Sequence, residues 1–419
     1  MNNENHSNVV PEAEFNETGA IRDAKALGMP KLITLGVQHT FTMFGATVLV
    51  PIITGFNISV ALFMAGIGTL LFHLITKGKM PAFLGSSFAF IAPMLAVTEM
   101  YGLEYAQGGI VVAGLVYLVL AGLVAAFGID KVVGFFPPVV TGPIIMVIGI
   151  KLAPTAIDMA SSDWLMAIIA FVLVTAVSIF GRGFIKVIPV ILGLIGAYVI
   201  AVVLGKVDFT PFNEASWFGL PPFQMAKFNA SAILTVAPLA LATMVEHIGD
   251  VVAIGATTNR EYIRDPGLTR TLMGDGIATA VSAMFGGPAN TTYSENTGVL
   301  ALTRVWDPLV MRIAAVFAII LGLFTKLGAL ISTIPDSVIG GISIVLFGMI
   351  AAVGARTLVE NKVDFTKTRN LIIAAVILVL GLGGAMFPIN IGTFELNIEG
   401  MALAAIVGII LNKILPQDV

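Results

Sequence analysis

From Leu32 to the last residues, the chain is a succession of apolar runs of about 20 residues, each long enough to cross ~30 Å of hydrocarbon as a helix. With 57% of its 419 residues hydrophobic and only 11% charged, it lies far outside the composition of soluble domains. A strand barrel would show short alternating segments instead, and these are absent. The fold class expected is an all-α polytopic membrane protein. Fourteen transmembrane segments can be placed, near 32–50, 59–76, 81–98, 109–128, 132–153, 163–180, 187–204, 231–257, 269–285, 286–303, 309–331, 338–355, 370–388 and 400–415.

The basic residues test that count. With the N-terminus inside, all but Lys151, Lys206, Lys227 and Lys326 of the 22 lysines and arginines fall on the cytoplasmic side, as the positive-inside rule expects. Both termini are then cytoplasmic. Residues 1–30 are polar and of mixed charge, and they lack the basic start and short apolar core of a signal peptide. They read as a cytoplasmic tail. A net charge of −3 argues for no nucleic-acid partner, and the absence of cysteine removes disulfides and thiolate metal sites. The four histidines are scattered, so no metal site is expected.

The sequence also repeats itself. Gln38-His39 in the first span echoes Glu246-His247 in the eighth, and Gly85-Ser-Ser-Phe-Ala-Phe90 in the third echoes Asn290-Thr-Thr-Tyr-Ser-Glu295 in the tenth. Phe136-Pro-Pro-Val-Val-Thr-Gly142 and Ile334-Pro-Asp-Ser-Val-Ile-Gly340 likewise precede spans five and twelve. An odd number of spans in each half forces the second half to enter the membrane upside down, which makes a 7+7 inverted repeat of the kind secondary transporters use. Spans 3 and 10 are the unusual pair. Their Gly, Ser, Asn and Thr residues are poor helix formers, so each is expected to begin as a short extended segment and turn helical about halfway. Half-helix N-termini aimed at a central cavity would then offer free N–H groups to a solute.

Glu246 and Glu295 lie inside such apolar sequence. A carboxylate near the bilayer centre costs ~3 kcal/mol on insertion scales, so it ordinarily faces a cavity, a partner or an ion path. Both are read as substrate-site residues. Asp250, one helical turn after Glu246, is open to two readings: a proton carrier, or a structural partner to Thr42, Ser294 or a basic group. His39 and His247 read as hydrogen-bonded packing residues, and Asn290-Thr291-Thr292 as a chance match to a glycosylation acceptor.

Four motifs carry a resemblance. Gly36-Val-Gln-His-Thr-Phe-Thr-Met-Phe-Gly-Ala-Thr-Val-Leu-Val-Pro51, Gly85-Ser-Ser-Phe-Ala-Phe-Ile-Ala-Pro93, Glu246-His-Ile-Gly-Asp250 and Asn290-Thr-Thr-Tyr-Ser-Glu-Asn-Thr-Gly-Val299 closely resemble the bacterial uracil permeases of the nucleobase/ascorbate transporter family. The resemblance runs from about Lys31 to the last span. It implies a proton-coupled nucleobase symporter working by alternating access, with a core of spans 1–4 and 8–11 (31–130 and 229–331) and a gate of spans 5–7 and 12–14 (131–228 and 332–419), homodimeric through the gate. It further implies that Glu246 and Glu295 hold the base, that Phe88 and Tyr293 line the pocket, that N–H groups near Phe88 and Ser294 take a carbonyl, and that Ala46 flanks it. Glu246, Asp250 and Glu295 are the proton-coupling candidates, with the proton as coupling ion and no cofactor. Two positions depart from the family pattern: Asp250 stands where His is best known, and Phe347, on the gate side, where Tyr is expected.

Uracil suits such a site chemically. It is a flat, neutral ring with two N–H donors and two carbonyl acceptors, so carboxylates can accept from the first while main-chain N–H groups take the second. Other classes fit less well. A channel needs a continuous polar stripe, and an intramembrane enzyme needs a constellation such as Gly-x-Ser-x-Gly or His-Glu-x-x-His, neither of which occurs. The alternatives kept are a xanthine or urate permease of the same family and, more distantly, an anion transporter of the same inverted-repeat fold.

Overall fold

Prolines and polar caps set many of the helix boundaries. In the computed structural model, which describes residues 19–391 and 394–416, α1 (Met29–Thr54) carries Pro30 in its first turn, where a missing N–H costs nothing. The next helix, α2 (Ile58–Ile75), starts behind Asn57, whose Oδ1 accepts the Val60 N–H at 3.1 Å. A short strand, β1 (Leu84–Ser86), then leads through a 3-10 turn at Phe88–Phe90 into α3 (Ile91–Tyr101) and on to α4 (Leu103–Phe127). After these come α5 (Ile129–Val133), α6 (Pro138–Lys151), α7 (Ala153–Ser161), α8 (Trp164–Phe180), α9 (Pro189–Val203) and α10 (Thr210–Glu214). The second half runs α11 (Ala230–Val236), α12 (Ala240–Thr258), α13 (Leu268–Met284), β2 (Asn290–Thr292), α14 (Ser294–Thr303), α15 (Pro308–Leu323), α16 (Thr325–Ile331), α17 (Asp336–Glu360) and α18 (Thr368–Leu382). It closes with β3 (Met386–Ile391), β4 (Phe394–Glu399) and α19 (Gly400–Ile414).

The chain is therefore mostly helical. Among the described residues, six helices are long and apolar enough to cross a membrane by length and composition, counting α6 with α7 and α11 with α12 as one each, or up to seven if α15 and α16, bent by 80° at their junction, are one span. Shorter apolar helices accompany them, among them α8, α9, α18 and α19. Several boundaries differ from the sequence reading, two of them for reasons visible in the residues. The run expected at 132–153 starts its main helix afresh at Pro138, because a Pro137-Pro138 pair lacks the N–H groups that would continue α5, and it extends as α7 to Ser161. The run expected at 370–388 stops being helical after Leu382, where Gly383 and Gly384 follow, and Met386–Ile391 pairs antiparallel with Phe394–Glu399 instead.

Small residues let the helices approach closely. On α13, a side chain at Gly276 would meet the Gly114 carbonyl of α4 at 2.6 Å, so backbone packs on backbone there. At the centre, β1 and β2 pair antiparallel with Leu84 opposite Thr292, Gly85 opposite Thr291 and Ser86 opposite Asn290. The pairing is extended by Ser87 N–H to the Ala289 carbonyl (2.9 Å) and Tyr293 N–H to the Phe83 carbonyl (3.0 Å). Extended backbone in an apolar interior leaves polar groups that neighbours must satisfy. Thr69 of α2 does so for β1, its hydroxyl accepting the Leu84 N–H at 2.9 Å. Thr279 of α13 does so for β2, its hydroxyl accepting the Asn290 N–H at 3.2 Å and donating to the Asn290 carbonyl at 2.7 Å.

On one side of this centre, residues 19–28 ahead of α1 are knitted to the body, while the first 18 residues of the expected tail lie outside the described residues. Ile21 N–H donates to the Arg304 carbonyl and Trp306 N–H to the Ile21 carbonyl, each at 2.8 Å. Arg22 donates to the Thr258 carbonyl at 2.7 Å, with its guanidinium 5.1 Å above the Trp306 ring.

Candidate functional site

The β1–β2 crossing starts two helices from opposite sides: α3 follows the Phe88–Phe90 turn and α14 begins at Ser294. The first N–H groups of any helix lack intrahelical acceptors, so each start presents donors and the positive end of the helix dipole. Against them stands α12. It brings Glu246 and Asp250, one turn apart, to the start of α14, which carries Glu295 in its first turn. Glu246, Asp250 and Glu295 lie within electrostatic reach of one another.

Asp250 is tied on both oxygens. The Ser294 hydroxyl donates to its Oδ1 at 2.5 Å and the Thr292 hydroxyl to its Oδ2 at 2.8 Å. Of the partners considered from sequence, Ser294 is therefore the one it meets; Thr42 spends its hydroxyl on the Gln38 carbonyl of its own helix (2.9 Å). Glu246 is different. Its Oε2 is buried and meets no hydrogen-bond partner among the described residues. A buried acceptor left open is costly unless something occupies it, which makes this oxygen the natural docking point for an N–H donor.

The remaining sequence-selected residues surround these groups. Phe88 meets Phe347 of α17 edge to face, ring centroids 6.2 Å apart. Ala46 of α1 and Tyr293 are buried in the same apolar cluster, against which Phe88 packs. Tyr293 is buried at 3% exposure, and its hydroxyl is already used: it donates to the Ser86 carbonyl at 2.9 Å and lies 3.3 Å from the Thr47 hydroxyl. Its ring fills the space over Gly85, where an added Cβ would come within 2.4 Å of the Tyr293 ring. His39 and His247 are buried and packed, as read from sequence. Asn296 Nδ2 lies 3.1 Å from both His39 Nδ1 and the His39 carbonyl, tying α14 to α1.

A fourth carboxylate escaped the sequence reading. Asp275 of α13 is fully buried, neither of its oxygens makes a well-formed hydrogen bond, and its polar neighbours are His247 Nδ1 at 3.5 Å and the Tyr117 side chain. His247 Nδ1 in turn lies 3.5 Å from the Thr292 hydroxyl that serves Asp250. The signal that picks out Glu246, one acid in an apolar run, applies equally to Leu272-Met-Gly-Asp-Gly-Ile-Ala278; the flanking glycines give that stretch the look of a turn.

A family model described as "Permease family" matches residues 30–390. The chain belongs to that family. This permease is 45% identical over 404 residues to the uracil permease of Bacillus subtilis, covering 92% of each chain. It is 43% identical over 393 residues to the uracil permease of Escherichia coli, covering 91% of this chain and 90% of that one. Among solved structures, the transmembrane domain of the cyanobacterial bicarbonate transporter BicA superposes with a TM-score of 0.62 at 17% identity, covering 91% of this chain and 96% of that one. At that identity the likeness concerns the fold alone. The permease is thus a multi-pass membrane transporter and not an enzyme.

Proposed function

We propose that this permease takes up uracil across the cytoplasmic membrane, coupled to a proton, by alternating access. The observation that carries the reading is the open Oε2 of Glu246 beside the start of α14. One site then combines acceptors for ring N–H groups with main-chain donors for ring carbonyls. Its relatives are named for uracil. The residues that meet at the crossing are acidic, hydroxyl-bearing and aromatic, which suits a neutral ring better than an anion. In this reading Glu246 and Glu295 hold the base, Phe88 and Phe347 border it with Ala46 behind, and Tyr293 shapes the pocket through its ring while its hydroxyl braces β1. Asp250, Glu246 and Glu295 are the candidates for carrying the proton.

The wider architecture proposed is fourteen spans in a 7+7 inverted repeat with both termini cytoplasmic. Support comes from the matched roles of Thr69 for β1 and Thr279 for β2, two helices that stand one before each strand. The core would comprise 31–130 and 229–331, and the gate 131–228 and 332–419, through which two copies pair.

Uptake of labelled uracil into vesicles, challenged with uracil, thymine, xanthine and urate, tests the substrate. Uracil should compete best, and a protonophore should abolish accumulation. One proton crossing ~100 mV supplies ~2.3 kcal/mol, enough for roughly 50-fold accumulation of a neutral solute. Stronger competition by xanthine would replace uracil with a purine, and sodium-dependent uptake indifferent to the protonophore would remove the proton.

A further inference from the structure

Away from the carboxylates, a crevice of about 450 Å³ opens between α1, α9, α15 and α16. Phe41, Phe44, Leu194, Ile195, Leu321 and Leu330 line it. Two hydroxyls reach its wall, and both are spent. Thr40 donates to the Gly36 carbonyl at 2.9 Å, and the Tyr198 hydroxyl lies 2.6 Å from that of Thr333. The wall therefore offers carbon, and water gains no partners there. The crevice opens outward, since Phe41 and Ile195 at its border are 49% and 52% exposed. On a membrane-spanning body that flank meets lipid.

The 80° bend from α15 into α16 puts a charged group close by. Lys326 sits one helical turn before Leu330, on the same side of α16. Its Nζ lies 4.5 Å from the Phe212 ring and 5.5 Å from Trp217, and donates to the Ala215 carbonyl at 3.1 Å. An ammonium has three donors, so capacity is left for an anion. Trp217 and Phe218 stack on Phe324 beside it, at 5.8 and 5.2 Å between centroids. Aromatic rings with a lysine are the composition of the level where lipid headgroups lie.

We propose that this crevice is a binding site for an anionic phospholipid, one acyl chain lying against Leu194, Ile195 and Leu330 and the headgroup phosphate on Lys326. The binding claim stands apart from the transport reading. On that reading the crevice also lies on the seam between core (α1, α15, α16) and gate (α9), so the lipid would occupy a surface that must slide.

Native mass spectrometry of the full chain with added phosphatidylglycerol or phosphatidylcholine tests it without using uptake. One retained phosphatidylglycerol per chain is expected, held in preference to phosphatidylcholine. Ile195→Trp, which fills the crevice, should cut that adduct at least about fivefold, and Lys326→Gln, which removes the ammonium while keeping a donor for the Ala215 carbonyl, should remove the headgroup preference. An adduct unchanged in both variants, or equal retention of the two lipids by the unaltered chain, would overturn the proposal.

Discussion

Asp250 and Glu246 share a helix face, yet their surroundings give them separate duties. Both Asp250 oxygens hold hydroxyls of the β2–α14 junction, so its side chain fixes where α14 begins. Glu246 keeps one oxygen open. Asn can still accept at one atom, so Asp250→Asn should leave equilibrium binding of uracil within about threefold while lowering accumulation against a gradient more than tenfold. Glu246→Gln replaces one acceptor oxygen with a donor, and binding should fall by ~1–3 kcal/mol, or roughly 5- to 150-fold. Isothermal titration paired with vesicle uptake measures both; an Asp250→Asn protein that accumulates uracil normally would leave Asp250 with the structural duty alone. Asp275 poses the sharper question, because a fully buried carboxyl without a well-formed hydrogen bond brings no evident stability. His247 and Thr292 lie between it and Asp250, and on the proposed proton coupling that position makes Asp275 a candidate partner in the transfer. The isosteric Asp275→Asn should fold and bind uracil but lose concentrative uptake. Unchanged uptake would make Asp275 a packing residue.

Among the elements, the β1–β2 crossing is the one whose geometry the site depends on. It holds because Thr69 and Thr279 serve its backbone from either side and because the Tyr293 ring lies across Gly85. Gly85→Ala places a methyl group about where the ring is, and neither the ring nor β1 can give way cheaply. Overpacking of this kind costs ~1–3 kcal/mol. The variant should therefore unfold at lower temperature and bind uracil more weakly. In a Tyr293→Ala background, where of the nearest atoms only Thr47 Oγ1 still crowds the added methyl, Gly85→Ala should cost less stability than it does in the unaltered chain, because the two changes couple. If Gly85→Ala behaved like the unaltered chain in both measurements, the strand would be able to move and Tyr293 would not brace it.

For the whole molecule, orientation can be read directly because the chain contains no cysteine. A single cysteine at Lys206 should react with a membrane-impermeant maleimide in intact cells, whereas one at Lys367 should react only after permeabilisation. Labelling of both from outside would break the fourteen-span arrangement, since the two positions would then lie on the same face.

Composition and the spacing of apolar runs were enough to determine a polytopic helical membrane protein, because burying backbone in hydrocarbon leaves a chain rich in 20-residue apolar runs few other ways to fold. The breaks at Leu84–Ser86 and Asn290–Thr292 were legible too, since Gly, Ser, Asn and Thr in such runs weaken a helix locally. Glu246 and Glu295 stood out because a lone acid in apolar sequence needs a reason. Partnership was not legible. That Asp250 takes Ser294 and Thr292, that Tyr293 spends its hydroxyl on Ser86, and that Asp275 faces His247 are decided by contacts between residues far apart in sequence. The end of α18 and the β3–β4 pairing likewise depend on Met386–Ile391 finding Phe394–Glu399, a backbone match that hydropathy does not encode. Hydrophobicity is a property of each residue and can be read along the chain; a hydrogen bond belongs to two residues and exists only once the fold has brought them together.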